Sequence, residues 1–99
     1  MAKQPETLLK EKVLSDLKSL SNTHAVKIQQ VGIRGIPDIL ACIAGWFVAI
    51  ELKRDSTQNP EPLQKYQLKK IEKAGGFSYV VHPGNWPLVF EELRVISLT

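Results

Sequence analysis

Apolar residues are spaced differently in successive parts of the chain. In Pro5–Leu20, Leu9, Val13, Leu17 and Leu20 recur at helical spacing and predict a helix with one apolar stripe. Pro5 suits its first turn, where a missing N–H costs nothing. "AVKIQQV", residues 25–31, alternates as a strand with Val26 and Ile28 on one face. "GIRGIP" follows as a loop. "DILACIAGWFVAIELK", from Asp38, is nearly all apolar and breaks only at Ala44-Gly45. It predicts two strands around a turn, covered on both faces. "RDSTQNPEP" is a polar loop, and "LQKYQLKKIEKA" a second helix stopped by Gly75-Gly76. "FSYVV" predicts a fourth strand, "HPGN" a turn and "WPLVFEELRVI" a closing helix with a strand-like end. The order α-β-β-β-α-β-α argues for an α/β sandwich around a small mixed sheet.

Composition narrows this picture. The chain has 99 residues, the size of one domain, with 43% hydrophobic residues. The first residues lack the apolar stretch of a signal peptide, and the run Ile39–Ile50 is too short to span a bilayer. The one cysteine, Cys42, allows no internal disulfide, fits a reducing cytoplasm, and sits in an apolar run as a buried small hydrophobe. His24 and His82 fall at element boundaries as turn residues. The formal charge of +3 leans toward a polyanionic partner.

The apolar hairpin carries charge at one end only. A turn centred on Ala44-Gly45 sets Ile43 opposite Trp46, Leu40 opposite Ala49 and Asp38 opposite Glu51. Directly opposed like charges destabilise a sheet unless something positive lies between them. Lys53, two residues past Glu51, points to the same face. Two carboxylates with further oxygen ligands suit a hard cation such as Mg²⁺ or Mn²⁺. Without one, a Glu51–Lys53 salt bridge accounts for the pair.

"GIPDIL" followed by "AIELK" resembles the PD-(D/E)xK nuclease signature. With "RGIPDIL", "FVAIELKR" and "PLQKYQLKKIEKAGGFSYVV", the chain from Glu6 to Val81 is similar to the VRR-NUC group of that superfamily. The resemblance implies a restriction-endonuclease-like sandwich spanning residues 1–99 as one nuclease domain. It implies Asp38, Glu51 and the Leu52 carbonyl as metal ligands, Lys53 as the catalytic lysine, and 5′-phosphate and 3′-hydroxyl products. Members place a glutamate early in the first helix. Glu6 fits that position and projects toward the apolar stripe, while Glu11 lies to its side and is the reserve candidate. Members also begin the second helix with a glutamine near the site, which points to Gln64, with Gln67 one turn later in reserve.

Stand-alone proteins of this group, often phage-encoded, resemble Holliday junction resolvases in acting as homodimers on branched DNA. That implies the cytoplasm of a bacterial host. Trp46, Trp86, Phe77, Tyr79 and Phe90 belong either to a dimer contact or to the core. Arg34 and Arg54 flank the acids, and Lys65, Lys69 and Lys73 form a row along the second helix. These bind phosphates, or form a solvated face with Glu61 and Glu72. No base-reading motif is present, which favours recognition of DNA shape. The competing expectations are a flap or nicking nuclease weak on its own, and a non-catalytic DNA-binding module whose site is filled by salt bridges.

Overall fold

The computed structural model describes residues 3–29 and 32–99. The elements follow the expected order: α1 (Pro5–Lys18), β1 (Thr23–Lys27), β2 (Ile39–Ile43), β3 (Trp46–Leu52), α2 (Pro62–Lys73), β4 (Phe77–Val81) and α3 (Trp86–Ser97). The four strands form one sheet in the order β1-β2-β3-β4. β1–β2 and β2–β3 are antiparallel, and β3–β4 is parallel, with α2 as the crossover. The sheet is therefore mixed, and the fold is the α/β sandwich expected.

The hairpin turns where both central residues adopt positive φ, Ala44 at 50° and Gly45 at 87°. Turns of that kind match the twist of the flanking strands. The resulting register pairs Ile43 with Trp46, Leu40 with Ala49 and Ile39 with Ile50. Side chains alternate between faces along each strand. One face carries Ala25, Ile39, Ala41, Ile43, Val48, Ile50, Leu52 and Val81, which pack against Leu9, Val13 and Leu17 of α1 and Trp86, Val89 and Leu93 of α3. The predicted stripe of α1 is thus its buried face, with Leu20 partly buried beside it. The C-terminal segment is helical through Ser97, because its apolar residues close this layer.

The first strand differs from its expected bounds. It starts at Thr23 and ends at Lys27, and Ala25 rather than Val26 faces the core. Residues 30 and 31 of the expected strand lie outside the described residues. His24 consequently sits within β1, opposite Cys42, and not in a turn.

The second face is only half covered. α2 packs over β3 and β4, where a side chain on Gly76 would collide with Ile71. An α-helix is about 10–12 Å across and strands lie about 4.8 Å apart, so one helix shields roughly two strands. The β1–β2 half of this face and the hairpin end of β3 stay open. Cys42 is exposed rather than buried, Val26 is 42% exposed and Phe47 49%. The hairpin is apolar throughout, yet only one of its faces is fully covered. Of the aromatic residues left open between core and contact, Trp86 is in the core, with Phe77, Tyr79 and Phe90 packed against it. Trp46 remains about half exposed, edge-on to Phe77.

Candidate active site

Asp38 follows a proline that shapes its surroundings. Continuing the hairpin register by two residues sets Leu52 opposite Pro37, which has no N–H to donate. The Leu52 N–H donates to the Asp38 side chain, with Oδ2 accepting at 2.7 Å. The Asp38 carbonyl accepts from the Ile28 N–H at 2.8 Å. Asp38 is thereby tied to both neighbouring strands. The Leu52 carbonyl faces the same proline and gains no ladder donor from it.

Glu51 lies one step beyond the last ladder pair, beside Asp38 and only 2% exposed. Its Oε1 is buried and has no hydrogen-bond partner among the described residues. Its Oε2 lies 3.8 Å from the Lys53 ammonium. Burial pushes the Glu51 pKa from 4.5 to about 8, and the charge of Asp38 and a hydrogen bond with it push the same way. Lys53 only partly offsets this. Two carboxylates offer each other no donor unless one is protonated, so the pair requires a proton or a cation between them.

Lys53 is held from a second side. Its ammonium donates to Gln64 Oε1 at 2.9 Å. The same oxygen accepts the Glu61 N–H at 2.8 Å, closing a capping box at the start of α2. Gln64 is thus both a helix-start residue and a partner of the lysine. Gln67 is half-buried one turn later and shares none of these bonds.

Glu6 does not join the carboxylates. It is exposed in the first turn of α1 and lines an open polar cleft with Gln4, Pro5 and Arg54. The helical wheel aims it toward the sheet, but in the structure it meets solvent. Glu11 is a solvated charge paired with Lys3 at 2.7 Å. No group of three or more His, Cys, Asp or Glu side chains suited to a metal occurs among the described residues. The donors at hand for a cation are therefore Asp38, Glu51 and the Leu52 carbonyl. The unpartnered Glu51 oxygen fits such an ion.

Arg34 and Arg54 lie in the loops that flank Asp38 and Lys53, and Lys65, Lys69 and Lys73 run along α2 away from this end of the sheet. Arg54 pairs loosely with Asp55 at 3.5 Å. Arg34, Lys65, Lys69 and Lys73 are exposed, with no carboxylate within salt-bridge distance among the described residues. His82 belongs to the turn before α3, where its Nδ1 accepts the Gly84 N–H.

Two features went unread in the sequence. Gly35 holds φ +80°, and a Cβ there would lie 2.4 Å from the Leu63 carbonyl oxygen. Glu61 caps the helix that carries Gln64. "GIP" before an acid signals a turn, but not which helix the turn touches.

No helix among the described residues is long and apolar enough to cross a membrane. No protein-family model matches the chain, and no curated protein is significantly similar in sequence. A solved structure of a VRR_NUC domain protein superposes with a TM-score of 0.75 at 19% identity, over 97% of this chain and 93% of that one. The small mixed sheet with its three helices is therefore the fold of a VRR_NUC domain.

Proposed function

We propose that the protein is a Mg²⁺- or Mn²⁺-dependent endodeoxyribonuclease that hydrolyses phosphodiester bonds in branched DNA, a Holliday junction resolvase working as a homodimer. The observation that carries this reading is the buried Glu51 oxygen without a partner beside Asp38. In a non-catalytic module with a salt-bridged site, that oxygen would be satisfied. Here the ammonium of Lys53 turns to Gln64 and leaves it free.

Asp38, Glu51 and the Leu52 carbonyl would hold the cation. When bound, it polarises the scissile phosphate and makes hydroxide available near neutral pH. Asp38 keeps its orientation because the Leu52 N–H occupies Oδ2. Lys53, 14% exposed in its side chain, offers an ammonium to a phosphate oxygen as charge builds there. The oxygen of a water molecule bonds phosphorus as that water gives up a proton to solvent, the bond to the 3′ oxygen breaks, and that oxygen takes a proton from solvent to leave as a 3′-hydroxyl.

Exposed Arg34, Lys65, Lys69 and Lys73, with Arg54, support phosphate binding without base reading. Paired cuts across a four-way junction need two sites related by symmetry. The open part of this sheet face, with Val26 on edge strand β1, Cys42 on β2 and Phe47 on β3, supports pairing of two copies.

The experiment is cleavage of fixed and mobile four-way junctions, flaps and linear duplex, with and without Mn²⁺. Symmetric paired nicks that require the cation and vanish in Asp38→Asn and Lys53→Met are expected. Unaltered cleavage by either variant overturns the site. Cutting of flaps alone replaces the resolvase reading with that of a flap nuclease.

A further inference from the structure

The loop that delivers Asp38 also touches the helix that delivers Gln64. Gly35 lies three residues before Asp38, and the place where its side chain would be is filled by backbone of the first turn of α2. A Cβ would meet Leu63 O at 2.4 Å, Leu63 C at 2.5 Å and Gln64 N at 2.9 Å. These are backbone atoms of a helix start fixed by Pro62 and by the Glu61–Gln64 capping box, so they cannot swing aside as a flexible side chain would. The positive φ of Gly35 demands glycine for a second, separate reason.

We propose that Gly35 is a positioning residue: its bare backbone seats the first turn of α2 and thereby fixes Gln64 and, through Gln64 Oε1, the Lys53 ammonium. The chain of contact is short. Gly35 abuts Gln64 N, Gln64 Oε1 accepts from Lys53 Nζ at 2.9 Å, and Lys53 Nζ lies 3.8 Å from Glu51. A displaced helix start would move the only hydrogen-bond acceptor that holds the ammonium among the described residues. The Asp38–Leu52 bond lies three residues on, where the loop enters β2 beside β3, and need not change.

Gly32 supplies the control. It also has positive φ, +105°, but a Cβ there would meet nothing within 4 Å among the described residues. Gly32→Ala therefore imposes backbone strain without collision, whereas Gly35→Ala imposes both.

The kinetic part of the test rests on the nuclease reading. Gly35→Ala should lower kcat on the order of 10–100-fold, with KM and Mn²⁺ affinity close to wild type. Gly32→Ala should keep most of the turnover. The double variant Gly35→Ala/Gln64→Ala should be no slower than Gln64→Ala alone, since both act through one contact. Additive losses, or a fall in Mn²⁺ affinity matching the loss of turnover, would show action through Asp38 and overturn the proposal.

A second readout needs no DNA and no activity. In ¹⁵N–¹H spectra, the Gln64 side-chain amide signals should move in Gly35→Ala and stay in Gly32→Ala. Signals unmoved in a folded Gly35→Ala protein overturn the proposal even if the wild type cuts no DNA. If Gly35→Ala does not fold, Pro62→Gly frees the same helix turn while keeping Gly35. It should move the same signals and lower kcat in the same direction, and no change in either defeats the proposal.

Discussion

The Lys53 ammonium lies 2.9 Å from Gln64 Oε1 and 3.8 Å from Glu51 Oε2, so the lysine is held by an amide more closely than by the acid on its own strand. A tight Lys53–Glu51 pair would neutralise both groups. Instead the two are held apart, as the proposed roles of Glu51 toward a cation and Lys53 toward a phosphate require. Replacing Gln64 by leucine should let the ammonium fall toward Glu51. The expected loss in kcat is about 10–100-fold, or roughly 1.4–2.7 kcal/mol in the barrier. Thermal stability should drop by only about 1 kcal/mol, the worth of the lost cap. Gln64→Glu, which keeps an acceptor oxygen, should recover part of the rate. Steady-state kinetics and melting curves of both variants separate the two effects, and a Gln64→Leu enzyme at full speed removes Gln64 from the site.

Glu51 makes the stability of the cation-free protein depend on pH. Its folded pKa is raised from 4.5 to about 8 by burial first and by Asp38 second. The folded state therefore keeps a proton that the unfolded chain releases above pH 4.5. The associated stability is fully present below that pH and is lost as pH rises through 8. At ~1.4 kcal/mol per pH unit the whole loss is at most about 5 kcal/mol. Melting in EDTA should fall between pH 5 and 8, and Glu51→Gln should flatten that part of the profile. Mn²⁺ should stabilise the wild type most at the alkaline end, where it displaces no proton. A wild-type profile as flat as that of Glu51→Gln would mean the carboxyl is ionised throughout.

The hairpin and its acids were legible because a short turn fixes register, and register fixes which side chains meet. Asp38 beside Glu51 follows from the position of Ala44-Gly45 alone. The helices were legible from spacing and from Pro5 and Gly75. Cys42 and Phe47 were not, because an apolar run reports that a strand lies within the sheet but not whether a helix covers each face. That depends on where α2 lands after a loop whose length says little. Glu6 failed for a related reason: a helical wheel gives a direction about the axis and not a position along the sheet. The hold of Gln64 on Lys53 joins residues eleven apart across that loop, and only the family resemblance pointed to the position.

The uncovered sheet face gives a prediction about assembly. Val26 and Phe47 are large apolar residues, 42% and 49% exposed, on one face with Cys42. Phe47→Glu and Val26→Glu place a charge there without entering the core. If two copies meet on this face, sedimentation should shift from dimer to monomer while circular dichroism is unchanged. Junction cleavage should lose its paired second cut before it loses the first. A dimer indifferent to both charges would place the contact elsewhere.

The lysine row along α2 separates phosphate binding from a merely solvated face. Lys65, Lys69 and Lys73 lie one turn apart, exposed and unpaired with carboxylates among the described residues, while Lys70 leans over the Tyr66 ring at 5.3 Å instead. Each lysine that contacts a phosphate releases about one counterion, so its loss should reduce the slope of log K against log salt by about 0.9 on duplex arms. The triple alanine variant should thus bind junction DNA more weakly at low salt and with a shallower salt dependence. Sequence preference should not change, since none of these groups reads a base. Binding is best followed by fluorescence anisotropy with Ca²⁺ in place of Mg²⁺, so that the DNA stays intact. Should the slope of the triple variant equal that of wild type, the row is a solvated face, and the phosphates are held by other basic groups, Arg34 and Arg54 among them.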